Sequence, residues 1–384
     1  MSDEDTAIRP FTIDIPEADL EDLRRRIATT RWPDELAGAG WYLGIPRDYL
    51  RELAEYWRTS YDWRAQERRI NEFPQFTTVI DGQRIHFLHV RSPEPDALPL
   101  LMTHGWPGSI VEFLEIIGPL TDPTKYGASS LPAFHLVVPA IPGFGFSGPT
   151  TEPGWDTSRV AKAWAVLMAR LGYDRYGVQG GDWGSVISRE LGATEPDHVV
   201  GVHLNMLLSP APRDAAALSE LTEDEIERLG DLRRFNDEMA GYQKLQGTRP
   251  QTLSYALTDS PVGQLGWIVE KFKEWTDSER VPEDAVDRDQ MLTNVMFYWL
   301  TGTAGSSARI YYEVRRGRTK PEPSSTPTGV AVFPKEIARP VRRLAEKSNN
   351  IVHWSEFDAG GHFAAMEQPD LLVGDIREFF LGRR

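Results

Sequence analysis

The spacing of apolar positions along the chain changes repeatedly, and each change marks a structural boundary. From Pro16 the pattern is helical, with Leu20, Leu23 and Ile27 on one face and Trp32-Pro33 as the stop. A second helix is predicted from Pro46, carrying Leu50, Leu53 and Trp57 at the same spacing. Both stripes are too narrow to be buried on their own, so residues 1–75 are expected to wrap a larger body. From Thr77 the period drops to two. Thr77–Ile80 and Arg84–Val90 flank Asp81-Gly82, which predicts a β-hairpin.

Short apolar runs then alternate with helical stripes. Leu98–Met102, Phe134–Ala140, Tyr176–Gln179 and Val199–Leu204 read as strands. A helix capped at Asp156 or Thr157 and ended by Gly172 places Val160, Trp164, Leu167, Met168 and Leu171 on one face. This alternation predicts a mostly parallel sheet of the α/β class. From Ser209 to about Arg318 the chain turns helical and charge-rich, opening on a capping box at Thr222 and Glu225, and is expected to form a lid. Pro321 to Pro327 reads as a linker, after which Gly329–Phe333 resumes the sheet and Ile351–Phe357 adds a strand. The predicted units are a wrapping segment over 1–75, core over 76–208, lid over 209–318 and core again over 319–384.

The 384 residues, 40% of them apolar, suffice for one large catalytic domain with an elaboration. A formal charge of -15 argues against nucleic-acid or anionic-membrane partners, which require basic patches. The absence of cysteine excludes disulfides, thiolate metal sites and cysteine nucleophiles. Met1 to Pro10 lacks the basic and apolar regions of a secretory signal, and no apolar run approaches a membrane span, so a cytoplasmic protein without a membrane anchor is expected. Formation of a homo-oligomer is left open.

The chemistry concentrates at Gly180-Gly181-Asp182-Trp183-Gly184, between a strand and a helix that Pro196 ends. Strand, glycine-flanked turn and helix make a nucleophile elbow, here with Asp182 where a serine usually sits. A carboxylate is ionised at neutral pH and needs no base to attack. Attack on an acyl carbon would give an anhydride, whereas attack on a saturated carbon gives an ester that water can cleave. His104-Gly105-Trp106-Pro107-Gly108 follows a strand, so the NH groups of Trp106 and Trp183 are the expected oxyanion donors. His104 reads as a histidine fixed in a turn rather than as a base. The glycines of Pro142 to Gly148 fit neither dinucleotide nor P-loop spacing. His362, in a glycine-flanked loop after the last strand, is the candidate base, and Glu336, after the preceding strand, is the acid that orients it. No metal or organic cofactor is called for.

The motifs His104–Gly108, Gly180–Gly184, Phe333–Glu336 and Gly360–Ala365 resemble those of microsomal-type epoxide hydrolases, with Thr30–Glu35 and Phe73–Phe76 similar to that family's N-terminal wrapping region. The resemblance implies an α/β-hydrolase fold with a helical lid, a small-molecule epoxide substrate and water as the second reactant. It further implies Asp182 as nucleophile, Glu336 and His362 as the charge-orienting pair, and Tyr242 and Tyr311 as proton donors to the epoxide oxygen. Tyr312, next to Tyr311, is the alternative donor. The rival readings are a haloalkane dehalogenase with the same aspartate and histidine, and a binding protein that has lost turnover; the tyrosine pair and the intact triad speak against each in turn. The aromatic residues of the lid suggest an apolar or aromatic epoxide.

Overall fold

The computed structural model describes residues 6–130, 132–209, 211–212, 214–317 and 323–383. These residues build a nine-stranded sheet in the order β1-β2-β3-β5-β4-β6-β7-β8-β9. The strands are β1 (Arg9–Phe11), β2 (Gln75–Ile80), β3 (Gln83–Val90), β4 (Leu98–Thr103), β5 (Phe134–Pro139), β6 (Tyr176–Gly180), β7 (Val199–Leu204), β8 (Ser324–Val332) and β9 (Asn349–Glu356). Pairing is antiparallel from β1 to β5 across β2 and β3, and parallel through β5-β4-β6-β7-β8-β9. In the hairpin, Asp81 (φ 50°) and Gly82 (φ 76°) both take the left-handed conformation that a tight primed turn requires.

Three helices precede the hairpin: α1 (Glu17–Ala28), α2 (Arg47–Thr59) and α3 (Trp63–Asn71). The predicted stripes of α1 are buried, as are Leu53 and Trp57 of α2, while Leu50 is half-buried. This segment grips the lid as well as the sheet. Tyr49 and Tyr56 donate to Glu283 (2.9 Å) and Asp289 (2.8 Å), and Tyr61 bonds Thr293 (2.9 Å). β1 and α3 are additions that the pattern did not announce. β1 is a three-residue Arg-Pro-Phe edge strand with no alternation to read, held against β2. Its exit is fixed by Asn71 of α3, which accepts from the Ile13 NH (3.0 Å) and donates to the Ile13 carbonyl (2.8 Å).

After β4, β5 and β6 come α4 (Leu114–Thr121), α5 (Thr157–Arg170) and α6 (Asp182–Thr194) in turn. Asp156 caps α5 by accepting from the Arg159 NH (3.0 Å). Between β7 and β8 the described residues are helical from Ala215 to Arg316, without a strand, and the capping box at Thr222 and Glu225 is formed. The stretch read as a linker, Pro321 to Pro327, is strand from Ser324 onward. Positions 321–322 lie outside the described residues, and Ser324 already belongs to β8, pairing with Asn349 as Pro327 pairs with Asn350. Pro327 is tolerated because β7 joins β8 only from Thr328 onward, so its missing NH interrupts no ladder on that side.

A buried carboxylate ties the far side of the sheet to the last helix. Asp375, on Pro369–Phe380, binds His203 of β7 (2.8 Å), His353 of β9 (2.8 Å) and the Ser355 hydroxyl. Although burial alone would raise its pKa, these hydrogen bonds hold it down to about 2. A carboxylate whose folded pKa is depressed stabilises above its unfolded value of 3.8, and that stabilisation fades as pH falls through about 2. Asp375→Asn should therefore cost on the order of 2 kcal/mol at pH 7 by urea denaturation, with the gap to wild type closing toward pH 2.

Candidate active site

The parallel strands end together at one edge, where loops after β4, β6, β8 and β9 converge. Asp182 opens α6 at φ 49°, a left-handed backbone that costs a non-glycine residue roughly 1–2 kcal/mol. Close packing forces that conformation. A β-carbon on Gly184 would lie 1.8 Å from the Thr103 carbonyl oxygen, and one on Gly180 would lie 2.3 Å from Gly184 itself. One on Gly105 would strike the Asp182 side chain at 2.3 Å. Strand β6 and helix α6 thus approach at backbone contact, and the turn between them has nowhere to relax.

The Trp106 NH donates to Asp182 Oδ1 (2.8 Å), and the Trp183 NH also points at this carboxylate. Burial raises the Asp182 pKa, while the neighbouring imidazole of His362 and these two amides oppose the rise. His362 Nε2 lies 3.7 Å from Asp182 Oδ2, and His362 Nδ1 lies 2.6 Å from Glu336 Oε1. The loops carrying these two residues continue the β8–β9 pairing past the strand ends: Lys335 bridges to Gly361, and the Lys335 NH donates to the Gly360 carbonyl (3.1 Å). The His362 NH donates to the carbonyl of Trp275 in the lid (2.8 Å). Burial pushes the imidazole pKa down, but the carboxylates of Glu336, Asp182 and Glu112 outweigh it and hold it up to about 9.

Two lid tyrosines close the site from above. Tyr242 follows a single π-helical turn over Phe235–Met239, an irregularity found often at functional sites. Its ring stacks on Trp106 at 4.9 Å and 8° and meets the Tyr311 ring edge-on at 5.7 Å. The Tyr311 ring stands edge-on to Trp183 at 4.8 Å, and its hydroxyl is buried with no hydrogen bond of ordinary geometry. Burial raises both phenols above their ordinary values, followed by the Asp182 charge for Tyr242 and by Tyr242 and then Asp182 for Tyr311, so they remain protonated at neutral pH. Tyr312 is the half-buried neighbour under the Arg316 guanidinium (3.5 Å), which leaves Tyr311 as the one facing the carboxylate. His104 is held in its turn by the Gly105 carbonyl (2.9 Å) and the Ile141 NH (3.2 Å), with burial lowering its pKa to about 4.

Known proteins match this chain over nearly its whole length. Residues 8–113 match the model of the epoxide hydrolase N terminus, and residues 99–243 that of the alpha/beta hydrolase fold. Epoxide hydrolase 1 of Sus scrofa is 39% identical over 98% of this chain and 89% of its own. A Stigmatella aurantiaca protein, provisionally named an epoxide hydrolase, is 48% identical over 97% of this chain and 84% of its own. The chain belongs to the epoxide hydrolase family. Two solved structures agree. Juvenile hormone epoxide hydrolase from Bombyx mori superposes with a TM-score of 0.91 at 32% identity, covering 99% of this chain and 95% of that one. The Aspergillus niger epoxide hydrolase gives 0.89 at 32%, covering 99% and 97%.

In this epoxide hydrolase a cavity of about 150 Å³ leads to Asp182, lined by Met206, Leu208, Leu232, Phe235, Ile337 and the two tyrosines among others. The lining is more aliphatic than the sequence suggested, because the lid tryptophans do not contribute to it. A wider groove of about 440 Å³ between residues 30–50 and Ser260, Val262 and Gly263 shares no residue with the site. Among the described residues no helix is long and apolar enough to cross a membrane. Two groups at this epoxide hydrolase site went unrecognised in the sequence, Trp275 and Glu112. The first had no motif to mark it; the second had a readable signal, a lone carboxylate in the apolar run Ile110–Leu114. Because an added methyl on Gly105 meets the Asp182 side chain at its β-carbon, Gly105→Ala should lower turnover on the order of 100-fold in steady-state assays and lower the melting temperature as well.

Proposed function

We propose that this epoxide hydrolase works in two covalent steps on an apolar epoxide, with a ring-sized group entering the cavity. In the first, an Asp182 oxygen attacks a ring carbon, the carbon–oxygen bond breaks, and the released oxygen takes a proton from Tyr242 or Tyr311. Esterification removes the Asp182 charge, one of those holding the His362 proton, so the imidazole releases that proton and restores the phenol. In the second step His362, oriented by Glu336, takes a proton from water as the water attacks the Asp182 carbonyl carbon. The Trp106 and Trp183 amides receive the oxyanion, and collapse returns the proton to the departing vicinal diol. A cavity of about 150 Å³ lined by apolar side chains suits a group of benzene size.

The tyrosine pair carries this reading. An epoxide oxygen leaves as an alkoxide and needs a donor, and two buried phenols set beside one another above one carboxylate supply it. Each Tyr→Phe change should slow ester formation on the order of 100-fold, and the double variant should be slower than either, by stopped-flow tryptophan quenching with styrene oxide. Unchanged ester formation in the double variant would sink the assignment.

A further inference from the structure

Glu112 has no task in the steps above, yet it lies beside the reacting groups. It sits in the short turn Ile110–Phe113 after the loop that carries Trp106. Its carboxyl group is lodged on that loop: a β-carbon at Gly108 would lie 1.3 Å from Glu112 Oε1. The carboxyl group thus occupies the place a side chain at 108 would take. The loop is bolted from the lid, where Tyr298 donates to the Gly108 carbonyl (2.5 Å) and Asn294 to the Pro107 carbonyl (2.7 Å). Such rigidity would be wasted on a solvated side chain. Glu112 lies deep in the protein, yet part of its surface is not covered by protein atoms. The Gly105 and Ser109 amides point at it, and no side-chain donor among the described residues bonds it.

We propose that Glu112 is a further catalytic residue of the hydrolytic step: its carboxyl group, lodged against Gly108 and beside His362 and Asp182, holds the attacking water. This rests on the two-step reading given above. The water oxygen bonds to the Asp182 carbonyl carbon and one water proton passes to His362 Nε2. The other O–H donates to Glu112, the ester carbon–oxygen bond then breaks as the diol oxygen takes the proton from His362, and the acid proton left on Asp182 passes to His362, restoring carboxylate and imidazolium. Burial lifts Glu112 to about 8, His362 opposes that, and the Asp182 charge adds to it. Ester formation removes the Asp182 charge and, with the proton that His362 gives up, the larger opposing charge as well, so Glu112 keeps its raised pKa and its carboxyl oxygen accepts from water. The other groups facing this cluster are Tyr298 beside Glu112, and Glu336 and Glu367 beside His362.

The test is Glu112→Gln with styrene oxide, following ester formation and breakdown separately by rapid quench and intact mass. Ester formation should stay within about threefold of wild type, while breakdown slows on the order of 100-fold, so that ester accumulates. The pH profile of breakdown should lose one ionisation. Breakdown within about twofold of wild type, or equal slowing of both steps, would overturn the proposal. If Glu112→Gln fails to fold, Glu112→Asp, which withdraws the carboxylate by one methylene, must show the same selective slowing, and equal slowing of both steps there would overturn it. Failure of the two-step reading is seen apart from this, as the absence of any ester in His362→Gln.

Discussion

Asp182→Asn is expected to lower turnover of styrene oxide by at least about 10⁴-fold while leaving the protein as stable as wild type or more so. The amide is isosteric, so the elbow, its left-handed backbone and the contacts of Gly105 and Gly184 can persist. What disappears is the nucleophile. Stability should not fall, because burial raises the Asp182 pKa above its ordinary value, meaning that the folded protein holds this charge at a cost. An acid with a raised folded pKa destabilises at neutral pH and ceases to do so once protonated. The variant should therefore gain most over wild type near pH 7, with the two converging at pH below the ordinary carboxylate range. Thermal melts across pH alongside steady-state assays would read both effects, and a variant that kept its turnover would remove Asp182 from the mechanism.

The second large effect is expected from His362→Gln. Turnover should fall on the order of 10⁴-fold, whereas the first ester should still form. Glutamine cannot take the proton from water, so the ester persists. Electrostatics adds a smaller consequence. His362 lowers the Asp182 pKa through its charge, and its loss should move the acid limb of ester formation to higher pH. Loss of ester formation and turnover together, with the fold intact, would mean that His362 serves the nucleophile rather than the water.

Much of this molecule could be read from its sequence because backbone geometry dictated residue type. The elbow needs glycine at 180 and 184 for contact with β4 and α6, and that need wrote a motif. The hairpin wrote Asp81-Gly82 for the same kind of reason. Period-two and helical stripes located most strands and the wrapping helices. What stayed hidden depended on distance in space rather than on neighbours in the chain. β1 exists because Asn71, 58 residues away from Ile13, fixes its exit. Only the family resemblance favoured Tyr311 over Tyr312 in the sequence; in space, facing Trp183 and Tyr242 distinguishes it. β8 begins before its predicted start because pairing with β9 overrides the proline and serine bias of that stretch. Glu112 was visible as an anomaly, a carboxylate among apolar neighbours, but its meaning needed the contact with Gly108.

The most direct test is the intact mass of His362→Gln after mixing with styrene oxide, in parallel with the Asp182→Asn, His362→Gln double variant and with a simple haloalkane. A mass gain equal to the whole epoxide, absent from the double variant and mapping to Asp182 after proteolysis, is the expected result. A gain equal to an alkyl group, appearing with the haloalkane alone, would contradict it.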